Sequence, residues 1–90
     1  MTARARVEII NKRGLHARAS AKFVKTASTF EAQVYVSKDG AEVDARSIMG
    51  LMMLAAGPGC CIDIAAEGAQ ADTAVAALVA LVANRFDEDE

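Results

Sequence analysis

The chain has one histidine, His16, and its neighbours favour anion chemistry. On its own, a single histidine is most often an ordinary surface or packing residue. Here Gly14 permits a tight backbone approach, helix formers begin directly after the histidine, and Arg18 falls in the first turn. The amides of a first helical turn have no partner within the helix, and the dipole there favours negative charge by ~0.3–1 kcal/mol in exposed settings. A phosphoryl group on His16 would therefore be held by the backbone amides of Ala17 and Arg18. A neutral imidazole has the lone pair needed to attack phosphorus, and the same nitrogen can later leave. His16 reads as a nucleophile before transfer and a leaving group after it.

The surroundings say what such a site lacks. Residues 11–25 hold Lys12, Arg13, Arg18, Lys22 and Lys25 and no acid, so a basic surface is expected around His16 although the net charge is −2. There is no second histidine, no Walker-type nucleotide loop, no paired carboxylate site and no serine triad. Cys60 and Cys61 are adjacent, and adjacent strand residues point to opposite faces, which suggests neither a disulfide nor a metal site and favours a reducing cytoplasm. The expected protein needs no metal or cofactor and is not a catalyst in its own right. A carrier needs only modest stabilisation of its cargo, because deep binding would stop onward transfer. Partner enzymes must complete the site, with Lys22 and Lys25 among the residues that meet them.

The elements that position His16 follow from periodicity. Residues 3–9 alternate Ala3, Ala5, Val7, Ile9 against Arg4, Arg6, Glu8, as in a strand with one wet face. After the Asn11-Lys12-Arg13-Gly14 loop, residues 17–28 form a helix with Ala17, Ala21 and Val24 on one stripe and Phe23 and Ala27 beside it. Strands at 31–37 and 41–45 flank Lys38-Asp39-Gly40, a strong hairpin signal. Ser47 is placed to cap the short apolar helix IMGLMMLAA, in which Ile48, Leu51 and Ala55 face the core and Met49 and Met53 face solvent, up to the breaker Gly57-Pro58-Gly59. A fourth strand at 61–65 and a helix at 71–85, with Asp72 in its first turn and Arg85 in its last, complete a β-α-β-β-α-β-α order. The fold class is α+β: a four-stranded antiparallel sheet covered on one face by three helices, with Glu8, Glu42, Asp44 and Asp63 on the wet face.

Ninety residues fit one domain, placed at 1–86, with 87–90 as a disordered acidic tail without chemistry. The chain is 53% hydrophobic with three Phe, one Tyr and no Trp, so the core comes from aliphatic residues and Met. MTARARVEII lacks the apolar run of an export signal, and AVAALVALVA at 74–83 is half the ~20 residues that span a bilayer. A cytoplasmic protein with no membrane insertion is expected. The basic segment has no aromatic except Phe23 and the pI is about 5.3, which argues against nucleic acid. The rival reading is a small-molecule-binding regulatory domain of βαββαβ type, in which His16 is incidental.

RGLHARASAKFV resembles the active-site segment of the HPr family, Gly-x-His-x-Arg-Pro-Ala, and ARSIMGLMML resembles that family's regulatory-serine segment; the likeness covers about residues 3–86. It implies an open-faced β-sandwich, a phosphoryl group on Nδ1 of His16 and assistance from Arg18. It further implies a donor, enzyme I of the phosphoenolpyruvate phosphotransferase system, and acceptors that are enzyme IIA domains, in a sugar or nitrogen-related branch. A dedicated HPr kinase/phosphorylase would act on Ser47. Met49, Leu51, Met52 and Met53 would form an apolar docking patch shared by partners in turn, which suits a monomer. Two positions depart from the family pattern: Ala19 replaces the usual Pro, and Arg13 precedes Gly14 where Asn is frequent. Proline there pre-sets the first helical turn, so Ala19 implies a slightly looser site.

Overall fold

In strand β1 (Thr2–Glu8), Ala3, Ala5 and Val7 turn inward while their neighbours are exposed, so the alternation of the sequence is the alternation of the structure. The computed structural model describes residues 1–88. Helix α1 (Ala17–Ser28), strands β2 (Gln33–Lys38) and β3 (Ala41–Asp44), helix α2 (Ile48–Met53), strand β4 (Cys61–Glu67) and helix α3 (Ala71–Ala83) follow, and a 3-10 turn (Arg85–Asp87) comes after α3. The order is β-α-β-β-α-β-α, with helices on one face of an open antiparallel sheet.

The strands lie in the order β1-β4-β2-β3, with β4 between β1 and β2. Ala5, Ile64, Val36 and Val43 stand in one cross-strand row facing the helices, and Arg6, Asp63, Ser37 and Glu42 stand in the next row facing out. On the outer row Arg6 grips Asp63 through Nε–Oδ1 at 3.0 Å and Nη2–Oδ2 at 3.2 Å. The Asp63 carboxyl is held below its usual range by this guanidinium. The β2–β3 hairpin turns on Asp39 and Gly40 with φ of 51° and 86°, the paired positive values of a type I′ turn.

Three sequence expectations change. The buried face of α1 is Ala19, Ser20, Phe23 and Ala27, whereas Ala17 and Ala21 are exposed. The fully buried Phe23 ring sets the rotation of the helix and draws Ala19 into the core with it. Helix α2 stops at Met53, so Leu51 and Leu54 fill the core while Ile48 and Ala55 face outward. Helix α3 ends at Ala83, before Arg85, and buries Ala71, Ala74, Val75, Leu78 and Val82 along one helical stripe.

The segment after α3 departs furthest from the expected loose tail. Arg85, Phe86 and Asp87 have φ of 55°, 54° and 63°, a left-handed run that non-glycine residues seldom adopt. Complete burial of Phe86, worth ~1.5–3 kcal/mol, offsets that cost. Residues 89 and 90 of the expected tail lie outside the described residues.

Candidate functional site

The loop that carries His16 is tied at several points. Asn11 and Gly14 close a turn from both sides: the Gly14 amide donates to the Asn11 carbonyl at 3.2 Å, and Asn11 Nδ2 donates to the Gly14 carbonyl at 2.9 Å. Gly14 has φ of +62°, and a β-carbon there would lie 2.3 Å from the Ala56 carbonyl oxygen and 2.8 Å from Gly57 Cα. Only glycine lets this loop press against the segment following α2. The Leu15 amide then donates to the Ala56 carbonyl at 2.9 Å, and the buried Ser20 hydroxyl donates to the Leu15 carbonyl at 3.1 Å. His16 is thus held between two anchored residues.

His16 is the N-cap of α1, with extended φ and ψ of −73° and 178°. The first helical hydrogen bond runs from the Ser20 amide to the His16 carbonyl at 2.8 Å, which leaves the amides of Ala17, Arg18 and Ala19 at the open end of the helix. Ala17 and Arg18 are exposed, and Arg18 makes no ion pair or hydrogen bond among the described residues. The histidine and the open amides therefore lie at one helix end, with Arg18 in the first turn. This arrangement suits an anion attached to the ring.

The imidazole is mostly covered, its side chain 16% exposed, because Glu88 lies against it. Glu88 Oε2 contacts His16 Nε2, while Glu88 Oε1 accepts from Asn11 Nδ2 at 3.0 Å. Burial raises the Glu88 carboxyl, but hydrogen bonds from His16 and Asn11, with the charges of His16 and Arg13, outweigh it and hold the group below its usual range. The acid enters a site expected to be wholly basic. Lys22 also departs from its expected place on a free docking surface: its ammonium donates to the Phe86 carbonyl at 2.7 Å and lies 3.9 Å from Asp87. Lys25 is exposed in the last turn of α1.

An open depression of about 320 Å³ is lined by Arg13, Leu15, His16, Met52 and Ala55, so α2 borders the histidine. Met49, Met52 and Met53 are 72%, 43% and 79% exposed. Leu51 is fully buried in the core and cannot meet a partner, which removes it from the docking patch. Ser47 caps α2 by accepting from the Gly50 amide at 2.9 Å.

Sequence reasoning missed Asn11, Ser20 and Glu88. The Asn-x-x-Gly pattern is a turn signal that points to Asn11. Ser20 carries no such signal, and Glu88 is 72 residues from the histidine.

Residues 3–84 match the family described as PTS HPr component phosphorylation site. The phosphocarrier protein HPr of Cupriavidus necator is 55% identical over 82 residues, which covers 91% of this chain and 92% of that protein. The phosphocarrier protein NPr of Escherichia coli is 41% identical over 90 residues, covering 99% of this chain and all of that protein. The crystal structure of HPr from Thermoanaerobacter tengcongensis superposes with a TM-score of 0.93 at 44% identity, covering 98% of this chain and 99% of that one. Family match, relatives and fold agree across nearly the whole length, and the chain belongs to the HPr family of phosphocarrier proteins.

Proposed function

We propose that the chain carries a phosphoryl group on Nδ1 of His16, taking it from enzyme I of the phosphoenolpyruvate phosphotransferase system and passing it to enzyme IIA domains. The observation that supports this best is the placement of His16 at the mouth of α1, beside the open amides of Ala17 and Arg18, with Arg18 exposed and unpaired among the described residues. An attached phosphoryl group meets partial positive charge there without being enclosed, which suits a group that must leave again. The protein works without a cofactor, as a cytoplasmic monomer that is a substrate of its partners.

The test is incubation with phosphoenolpyruvate and catalytic enzyme I, read by intact mass spectrometry at neutral pH. One acid-labile phosphoryl group is expected, absent from His16→Ala. No gain with a demonstrably active enzyme I would favour the small-molecule-binding reading instead. Rates with sugar-branch and nitrogen-branch donors decide between the two branches.

Docking falls to Met49, Met52 and Met53, which are exposed on the helix bordering His16, and to Lys25. Ser47 is the regulatory position for an HPr kinase/phosphorylase: phosphate there would add charge next to the methionine surface and weaken docking. A Ser47→Ala protein that such a kinase still phosphorylates would remove Ser47 from this role.

A further inference from the structure

We propose that Glu88 is a positioning residue for His16: its carboxylate accepts the Nε2 proton and so presents Nδ1, with its lone pair, to the incoming phosphorus. The proposal rests on the carrier reading of His16. The family model matches residues 3–84, and Glu88 follows them.

The contact is built from several directions. Phe86 is fully buried, the run Arg85–Asp87 is left-handed, and Lys22 holds the Phe86 carbonyl at 2.7 Å. Asn11 joins the two halves, since one Nδ2 group donates both to the Gly14 carbonyl of the histidine loop and to Glu88 Oε1. The depressed Glu88 carboxyl is ionised at neutral pH and can only accept. The proton in the contact with His16 therefore belongs to Nε2, and in the neutral ring the lone pair belongs to Nδ1.

During acceptance the Nδ1 lone pair forms the N–P bond while the bond from phosphorus to the donor breaks, its electron pair staying with the donor. The Nε2 proton remains on His16, and Glu88 meets the positive charge that develops across the ring. In onward transfer the N–P pair returns to Nδ1. The same carboxylate thus orients the ring in both directions, much as a buried acid holds the histidine of a hydrolase triad.

The test uses the full chain labelled with 15N-histidine, with Glu88→Gln and Glu88→Ala variants. Long-range 1H–15N spectra of the unphosphorylated protein are expected to show the Nε2–H tautomer dominant in the parent and a mixture in Glu88→Ala. The catalytic constant for acceptance from phospho-enzyme I is expected to fall about ten-fold in Glu88→Ala with KM little changed, and less in Glu88→Gln, whose amide oxygen still accepts. An unchanged tautomer ratio overturns the proposal, as does unchanged or faster acceptance in Glu88→Ala. A parent protein that accepts nothing overturns the carrier reading together with it; a parent no faster than Glu88→Ala overturns the role of Glu88 alone.

Discussion

The α-carbon of Gly14 lies so close to the carbonyl of Ala56 that a β-carbon would approach that oxygen to 2.3 Å. Backbone of the histidine loop meets backbone of the segment after α2, and neither can swing aside like a side chain. Gly14→Ala is expected to destabilise the fold by about 2–4 kcal/mol, through this clash and the positive φ together. Urea unfolding checks it, and a loss under about 0.5 kcal/mol would show that the loop is not clamped here.

Ser47 gives a smaller, cleaner effect. Its hydroxyl satisfies the Gly50 amide, so Ser47→Ala should cost about 1 kcal/mol, while Ser47→Asp, which also caps, should restore most of it. Paired thermal melts of the two variants decide. Equal losses would mean that the cap contributes little.

Phe86 anchors the segment after α3. Phe86→Ala should cost about 3–5 kcal/mol by opening a cavity in the core, and should raise hydrogen exchange at the Asp87 and Glu88 amides. Full exchange protection at these amides in the variant would show that Lys22 alone holds the segment.

Acid should weaken the fold through the carboxyls held below their usual range, Asp63 beside Arg6 and two others. The Arg46 amide, donating at 2.8 Å, and the Arg46 guanidinium hold the Asp44 carboxyl below its usual range against burial, and Glu88 is lowered as described. A carboxyl lower in the folded state than in the unfolded chain stabilises the fold fully above the unfolded pKa. That contribution is lost as pH falls through the folded value. Urea midpoints should hold from neutral pH to the ordinary carboxylate range and decline below it, with a shallower decline in Asp44→Asn/Glu88→Gln.

The methionines of α2 should matter to partners and not to folding. Met49→Gln and Met53→Gln alter side chains that are 72% and 79% exposed, so stability should stay within about 0.5 kcal/mol. The Kd for enzyme I, measured by calorimetry, should rise. Unchanged affinity in the double variant would place docking elsewhere.

The parts legible in the sequence were those set by short-range rules. Alternation marked β1, the Asp39-Gly40 pair marked the hairpin, Ser47 marked the start of α2, and Gly14-x-His16-x-Arg18 marked the helix mouth. The rotation of α1 was misread because alanine lies on both faces, and Phe23 chooses between them only once it meets the core. Helix periodicity placed Leu51 in the core, as found, and the resemblance alone put it in the docking patch; Ile48 and Ala55 were misread as inward because α2 is apolar all round and hydrophobicity could not separate its faces. Glu88 was invisible for a different reason: no periodicity links an acidic terminal run to a histidine loop, and the link exists only after Phe86 has docked.

The position of β4 between β1 and β2 has a consequence for synthesis. As the chain leaves the ribosome, β1 has no neighbour to pair with until residues 61–67 follow it, so only the β2–β3 hairpin can form from adjacent sequence. The histidine loop waits as well, because the carbonyl it leans on belongs to Ala56. A prematurely terminated product would contain His16 and the start of α1 without the surface that shapes them. On the proposed carrier role, the support around His16 cannot form before residues 56–67 have been made, and shorter chains offer a donor a histidine without it.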